Sequence, residues 1–399
     1  MTQVVMSGRR RAEGGSAESN GDTSVREIRP YIYWPFAREE DSPLFYAVPQ
    51  PGDHLTLHAI DRPGTPRSAG NVEVLSTLPD VRAAHSSRLA WAASRANTYL
   101  SRAAQRGALV RERRFDVVHV AFLNQFTDLA DLRRLKRSAP LVTTVHDVLP
   151  HRSRLPSSLE DRLLRAMYRE CGSIIVHHEE VGTELTSRFG VASSRISVVP
   201  HWVSPNESRR GGARTLASRP MALMFGTLRS NKGVETFLRA AERLQREPID
   251  FHIAGRGDAD LEQLAVEFGR RLPSLSVEIG WVEPSRKAEL HSTADVCVLP
   301  YTRFSSQSGV LHDSYGAGTP VVVTDVGALG ATVRSNGTGR VVAPDDAAAL
   351  SSAILGLLVD EEAWSSASSA ADAVARRQSP EMIGAALRQV YVAAISRRS

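Results

Sequence analysis

The sequence predicts an α/β protein with two domains, each built on a doubly wound parallel sheet. Near-continuous apolar runs, such as those at residues 116–122 and 296–301, are typical of parallel strands covered on both faces. Helical segments of roughly 8–14 residues separate most of these runs, and such alternation favours parallel sheets. The chain of 399 residues is long enough for two domains, each with its own core.

Composition narrows the classes of function. The chain has 49 Lys and Arg against 44 Asp and Glu, a net charge of +5. Its basic residues are not interleaved with stacking aromatic residues, so the composition does not indicate nucleic-acid binding. No run approaches the roughly 20 apolar residues of a membrane span. Cys171 and Cys297 lie in apolar contexts without metal-ligand spacing, so we expect buried thiols, a cytoplasmic location and no metal.

The first domain is predicted at residues 26–202, after a disordered tail at 1–25 that is rich in Gly, Ser, Arg and Glu. His177 and His178 are interpreted as polar groups at a strand end. A helix at 129–137 carries basic residues that form either a solvated face or a peripheral membrane contact. These basic residues are Arg133, Arg134, Lys136 and Arg137. The predicted strands are 28–34, 54–60, 72–76, 116–122, 141–151, 173–178 and 196–202, and the predicted helices are 81–114, 129–137, 159–170 and 179–189.

A linker at 203–219 and a second domain at 220–380 follow by composition and strand–helix alternation. The turn at Gly255 is predicted to be a tight strand-end loop, because Asp260 stands where a dinucleotide fingerprint needs its third glycine. An Ala-rich helix is expected after residue 345, and a last helix in 381–399 has apolar spacing suited to packing. The predicted strands are 222–226, 250–255, 275–282, 296–301, 320–327 and 340–344.

The stretch 301–324 combines a strand end, a polar loop, a short helix and a buried strand. The backbone N–H groups of Ser308, Gly309 and Val310 open that helix, and a helix N-terminus favours a phosphate group. Asp313 lies one turn further, where a carboxylate can accept hydrogen bonds from ribose hydroxyls. The alternative interpretation is an ordinary crossover with a surface carboxylate.

The loop 226–233 follows the first strand of the second domain. It carries Arg229 and Lys232 at the sheet edge where the helix at Gly309 begins. Two cations facing a helix N-terminus suit a diphosphate. A solvated basic loop is the alternative.

Together these two stretches resemble glycosyltransferase family 4, whose members are retaining enzymes. Gly226 to Gly233 match the family's Gly-x-hydrophobic-x-x-x-Lys-Gly pattern, with Thr227 at the usual arginine position and Arg229 as the candidate replacement. The family's E-x7-E element ends in Gly-Thr-Pro-Val-Val. Counted back from that run at 318–322, Asp313 is the second acidic position and Ser305 replaces the first, within a variant Ser-Gln-Ser-Gly loop.

The resemblance implies the GT-B fold, in which two Rossmann-like domains face a central cleft and the final helix returns to the first domain. It implies a metal-independent, retaining hexosyltransferase that uses a UDP- or GDP-sugar and a hydroxyl acceptor, either a saccharide, a lipid-linked saccharide or a natural product. His146, which ends a strand as His-Asp, then faces the donor sugar, and Trp281 and Val282 lie in the base-contact loop. The implied catalytic residues are Lys232, Arg229 and His146, and the implied donor-binding residues are Gly226, Thr227, Ser308, Gly309, Val310, Asp313, Trp281, Val282 and Gly255.

Two other functions stay open. A sugar-nucleotide epimerase of the same fold needs acid–base carboxylates, and Ser305 disfavours it. A non-catalytic nucleotide-sugar-binding partner is suggested by the departures at Ser305 and Thr227.

Overall fold

The structure, a computed structural model, describes residues 26–80, 88–124, 128–146, 157–204, 206, 215–303 and 308–398. The predicted tail at 1–25, Asp147 and Ser305 lie outside these described residues. The chain divides into two compact units, Met1–Val199 with Gly384–Ser399 and Pro200–Ile383.

Unit 1 is built on a parallel sheet, with the order β3-β2-β1-β4-β5-β6-β7 in the described residues. Strands β1, β4, β5 and β6 are buried along their whole length, because helices cover both faces of the sheet. The predicted strand at 72–76 extends to Leu78. The strands are β1 (Pro30–Tyr33), β2 (Leu55–Ile60), β3 (Val72–Leu78), β4 (Val117–Val120), β5 (Leu141–Val145), β6 (Ser173–Val176) and β7 (Ile196–Val198).

The helices of unit 1 connect these strands, and both strands and helices contribute apolar residues to its core. Tyr31 and Val118 of the sheet and Met167 of a helix are among the residues packed there. Of the long helix predicted at 81–114, the structure describes the part from Arg88. The helices are α1 (Ser42–Ala47), α2 (Arg88–Glu112), α3 (Asp128–Ser138), α4 (Ser157–Glu170) and α5 (Glu179–Phe189).

Unit 2 is built on a second parallel sheet, with the order β10-β9-β8-β11-β12-β13 in the described residues. The chain proceeds outward from β8 in one direction and from β11 in the other. The carboxyl ends of β8 and β11 therefore form a topological switch point, where such sheets bind ligands. The strands are β8 (Met221–Phe225), β9 (Asp250–Gly255), β10 (Leu275–Ile279), β11 (Val296–Leu299), β12 (Val321–Thr324) and β13 (Gly339–Val342).

The sequence predicts one Ala-rich helix after residue 345, whereas the structure has two. The side chain of Asp360 caps the second of them by accepting a hydrogen bond from the Ala363 N–H at 2.9 Å, and an N-cap aspartate favours a helix start. The helices are α6 (Val234–Arg243), α7 (Ala259–Arg271), α8 (Pro284–Thr293), α9 (Gly309–Gly316), α10 (Ala328–Asn336), α11 (Ala347–Leu358), α12 (Glu361–Arg377) and α13 (Pro380–Ser396).

Residues at the start of the predicted linker pack into unit 2. Val203 is buried beside Cys297 and Leu299, and its N–H donates to the carbonyl of Gln378 at 2.7 Å. The N–H of Asn206 donates to the carbonyl of Gly316 at 3.0 Å.

Helix α13 packs in unit 1 from Gly384 onward. The guanidinium of Arg388 donates from Nε to Asp53 Oδ2 at 2.6 Å and from Nη2 to Asp53 Oδ1 at 3.0 Å. The Asp53 carboxylate also accepts from the N–H groups of Ile28 at 2.8 Å and Gln50 at 2.9 Å. This buried pair fixes α13 to the loop before β2, since a bidentate arginine–carboxylate contact is directional.

Candidate functional site

The loops that follow β8 and β11 lie against each other at the switch point of unit 2. A Cβ built on Gly226 would lie 3.4 Å from Val310 Cγ2, so the end of β8 contacts the first turn of α9. The N–H of Thr302 donates to the carbonyl of Asn231 at 3.0 Å. The structure therefore brings the predicted lysine-bearing loop and the predicted helix start together.

Glycine is required where backbones approach closely at this edge. Gly255 has φ +145°, and a Cβ there would lie 1.8 Å from the carbonyl oxygen of Gly226. Gly233 has φ +68°, and a Cβ there would lie 1.8 Å from the carbonyl oxygen of Pro300. Only glycine allows both the positive φ and this contact.

Lys232 lies over an aromatic ring at the end of β11. Its Nζ is 3.6 Å from the ring centroid of Tyr301, a cation–π geometry. Burial, followed by the positive charge of Arg229, lowers the pKa of Lys232 to about 8. Arg229 itself is exposed, as is Thr227. The lysine is thus a poorly solvated cation, which interacts more strongly with an anion than a hydrated surface lysine does.

The phenol of Tyr301 connects this lysine to the start of α9. Its hydroxyl and the Ser308 Oγ are 2.9 Å apart, and both groups are buried. Burial raises the pKa of Tyr301, so the phenol stays neutral. Ser308 precedes α9, and its carbonyl accepts from the Leu311 N–H at 3.0 Å. The sequence pattern places Tyr301 at a strand end but does not indicate this contact.

Asp313 has a partner that the sequence did not indicate. Lys287 of α8 donates from Nζ to Asp313 Oδ1 at 3.2 Å, and both side chains are partly buried. The carboxylate predicted to bind a ribose therefore already pairs with a cation in the structure. No spacing signal could reveal Lys287, because the pair joins two different helices.

The loops after β9 and β10 lie side by side at the same edge. The N–H of Gly280 donates to the carbonyl of Gly255 at 3.0 Å. Trp281 is 58% exposed, and the guanidinium carbon of Arg256 is 5.3 Å from its ring centroid. Val282 packs on a small apolar cluster that includes Ala254. An exposed indole beside these loops provides a flat surface on which a planar group can stack.

Gly309 has open space around it. A Cβ built on Gly309 would meet no heavy atom within 4 Å. The first residue of α9 is also exposed, so this helix start is accessible to a ligand.

His146 belongs to unit 1, where it directly follows β5. Its Nε2 is 3.2 Å from the carbonyl oxygen of Ala121, and its Nδ1 is 3.2 Å from His177 Nε2. The ring stacks on Phe122, with centroids 4.5 Å apart and planes 17° apart. His146 is thus fixed by contacts within its own unit.

The predicted basic face of α3 is partly neutralised within unit 1. Arg133 Nε donates to Glu170 Oε1 at 3.1 Å, and Lys136 Nζ lies 3.5 Å from Glu170 Oε2. Within the ranges that the structure covers, no helix is both long and apolar enough to cross a bilayer. No cluster of three or more His, Cys, Asp or Glu residues suited to a metal ion occurs in those ranges either.

Comparison with known families gives a match for each unit. Residues 48–207 match the family model "Glycosyltransferase Family 4", and residues 219–360 match "Glycosyl transferases group 1". Each unit is therefore similar to a glycosyltransferase domain over the residues matched. The family 4 match contains His146, and the group 1 match contains the site around Lys232.

Relatives and solved structures agree with these matches. Glycogen synthase from Mycobacterium tuberculosis is 27% identical over 266 residues, which are 64% of this chain and 63% of that protein. The match thus spans less than two thirds of this curated relative. A glycosyltransferase from Rickettsia africae aligns with TM-score 0.69 at 14% identity, over 94% of this chain and 100% of that one. Anabaena HepE, solved in complex with UDP-glucose, aligns with TM-score 0.61 at 15% identity, over 93% and 100%.

At such low identity, the solved structures establish the fold alone. The predicted GT-B fold class, with two Rossmann-like parallel-sheet domains, is confirmed.

Proposed function

We propose that the chain is a retaining glycosyltransferase that transfers a hexosyl group from a UDP- or GDP-sugar to a hydroxyl acceptor. The observation that carries this proposal is the placement of the Lys232 ammonium over Tyr301, whose hydroxyl contacts Ser308 at the start of α9. A cation and a helix N-terminus at one sheet edge suit a diphosphate. The matched glycosyltransferase domains, and the UDP-glucose bound by HepE, support a nucleotide-sugar as the donor.

The chemistry requires stabilisation of a leaving diphosphate. As the bond between the sugar C1 and the phosphate oxygen breaks, negative charge grows on the diphosphate. Lys232, Arg229 and the first N–H groups of α9 stabilise that charge in place of a metal ion. The acceptor oxygen bonds to C1 on the face that the diphosphate leaves, and the acceptor proton passes to a diphosphate oxygen.

Lys232→Ala tests the proposal directly. Loss of a preorganised donor to the leaving group should lower kcat/KM by about 100-fold or more. Steady-state kinetics with the donor found by ligand screening measures the effect. Arg239→Ala is the control, because Arg239 pairs with Glu235 on the exposed face of α6. A Lys232→Ala enzyme as active as the control would remove Lys232 from the mechanism.

Asp313 is proposed to bind the donor ribose, next to Lys287. Asp313→Ala should chiefly raise the KM for the donor, because a ribose contact exists both in the ground state and in the transition state. Calorimetric titration with the nucleoside diphosphate measures the same loss as a weaker Kd. An unchanged Kd would assign Asp313 to the ion pair with Lys287 alone.

The donor base and sugar are to be found by thermal-shift screening of UDP-, GDP- and ADP-sugars. A ligand at 100 times its Kd adds about 2.7 kcal/mol of stability. The departures at Ser305 and Thr227 favour a second candidate, a non-catalytic nucleotide-sugar-binding protein. Stabilisation by a nucleotide-sugar without donor hydrolysis or transfer would support that candidate.

Two further expectations concern location and acceptor. Contact with a membrane through α3 stays a prediction, and it rests mainly on Arg134 and Arg137 because Arg133 and Lys136 lie beside Glu170. Co-sedimentation with anionic vesicles at low and high salt tests it, since such contacts weaken with salt. The acceptor class, a saccharide, a lipid-linked saccharide or a natural product, is proposed only as a hydroxyl compound.

A further inference from the structure

Two histidines of unit 1 form a chain of hydrogen bonds between two backbone carbonyls. His177 Nδ1 is 2.9 Å from the carbonyl oxygen of Val199, and His177 Nε2 is 3.2 Å from His146 Nδ1. His146 Nε2 is 3.2 Å from the carbonyl oxygen of Ala121. The chain therefore contains three contacts, four ring nitrogens and two terminal oxygens.

The number of protons in this chain follows from its ends. A carbonyl oxygen only accepts, so both terminal nitrogens, His177 Nδ1 and His146 Nε2, must carry a proton. The central contact between His177 Nε2 and His146 Nδ1 needs a third proton. Two neutral imidazole rings have only two protons between them.

We propose that His146 and His177 share three ring protons and so carry one positive charge, and that His177 is the positioning residue that keeps His146 protonated. The charge state follows from the hydrogen-bond chain, whereas its use in catalysis rests on the proposed glycosyl transfer. Because Nε2 of His146 is protonated and its Nδ1 shares the central proton, the ring has no free lone pair, so His146 acts as part of a fixed cation and not as a general base.

The surroundings of the pair favour the charge. The His146 ring stacks on Phe122 at 4.5 Å between centroids, and an aromatic face stabilises a cation. Trp34, the residue after β1, has an uncharged ring whose centroid is 6.3 Å from that of His146. Among the residues that the structure describes, the neighbouring titratable groups are His119 on β4 and His178 after β6. Burial lowers the pKa of His119 to about 3 and also lowers the pKa of His178, so both are mainly neutral at pH 7 and do not repel the pair.

Nitrogen-15 NMR of the imidazole rings tests the charge state without reference to activity. In the full-length wild-type protein at pH 7, His177 Nδ1 and His146 Nε2 should both give signals of protonated nitrogen, and the two central nitrogens should give averaged signals of one shared proton. Two neutral rings at pH 7 would overturn the proposal. In His177→Phe, the Nδ1 of His146 should lose its proton at pH 7, while the control His178→Phe should leave His146 unchanged.

The positioning role predicts a deficit that depends on pH. An imidazole without such a partner is mainly neutral at pH 8 and gains its second proton in acid. The kcat/KM of His177→Phe relative to wild type should be about ten-fold low at pH 8 and within about two-fold at pH 5.5, since one positioned charge contributes on that scale or more. The ratio cancels the titration of Lys232, which both enzymes contain.

The outcomes separate the two proposals. A deficit that is equal at both pH values would overturn the positioning role and leave only a structural one. A three-proton pair seen by NMR in a protein without transferase activity would refute the proposed function and retain the charged pair.

Discussion

Lys232 is the residue whose ionisation most directly affects the candidate site. Its pKa is lowered to about 8 by burial and by Arg229, so its charge is partly lost just above neutral pH. The neutral amine cannot attract a diphosphate. The proposed function needs Lys232 as a cation, and its lowered pKa makes that positive charge depend on pH.

The affinity of the free protein for a nucleoside diphosphate should accordingly decline as the pH rises through about 8. Above that value, Kd should increase about ten-fold per pH unit, because only the protonated lysine binds the anion. Calorimetric titration from pH 6.5 to 9.5 measures this. Lys232→Arg is the matched variant, since a guanidinium stays charged over the whole range. A decline of equal steepness in both proteins would assign the titration to another group.

At this scale, the functional groups that could be predicted from the sequence are those that belong to one continuous stretch. Lys232 and Asp313 were found because each lies at a fixed offset from a glycine run. Lys287 and the Tyr301–Ser308 contact were missed, because they depend on how loops and helices pack. Ser305, which replaces the family's first acidic residue, lies outside the described residues.

At the scale of elements, glycines allow the ends of β8, β9 and β11 to approach closely, because a side chain at these positions would overlap the neighbouring backbone. Gly255 shows this most clearly, since its Cβ would overlap the carbonyl of Gly226. The close approach of the two strand ends brings the loops of the site side by side.

Gly255→Ala should destabilise unit 2 by more than about 3 kcal/mol, because strained φ and a backbone clash act together. Urea denaturation followed by circular dichroism measures this. The matched control is Gly356→Ala in α11, where an added Cβ meets no heavy atom within 4 Å. That substitution should stabilise by about 0.5–1 kcal/mol, the cost of glycine within a helix. Equal effects of the two changes would contradict the role assigned to Gly255.

The strands were predictable because buried parallel strands are short, continuous apolar runs bounded by polar or glycine residues. The residues at which the strands end were harder to predict. The predicted strand at 275–282 ends at Ile279 in the structure, because Gly280 hydrogen-bonds to Gly255 and turns the chain. The break between α11 and α12 was missed, since an Ala-rich stretch continues through it and only Asp360 marks the cap.

At the scale of the whole molecule, the ion pair between Asp53 and Arg388 joins parts of unit 1 that are 335 residues apart in sequence. Burial alone would raise the pKa of Asp53, but hydrogen bonds from Arg388, Gln50 and Ile28 outweigh it and hold the pKa below its ordinary value. The pair therefore stabilises unit 1 only while the carboxylate is ionised.

Asp53→Ala should cost about 3–5 kcal/mol of unfolding free energy, since it leaves a buried guanidinium without its partner. Because the folded-state pKa is depressed, the wild-type stabilisation is complete above the unfolded value of about 3.9 and is lost as the pH falls through the folded value. In urea titrations between pH 7 and 3, the unfolding free energies of the wild type and Asp53→Ala should approach each other as the pH falls. Glu235→Ala, which breaks an exposed pair with Arg239, should cost at most about 1 kcal/mol. A constant difference across that pH range would contradict the linkage.

The two-part composition of unit 1 has a consequence for biosynthesis. The part of α13 that belongs to unit 1 is synthesised only after all of unit 2 has been translated. Strand β1 and the Asp53 loop therefore emerge from the ribosome long before Arg388 is made. Unit 2 is continuous in sequence and can fold first. Until α13 is synthesised, unit 1 is incomplete and the Asp53 carboxylate lacks its arginine partner. Chaperone demand during translation should therefore concentrate on the earlier-made half of the protein.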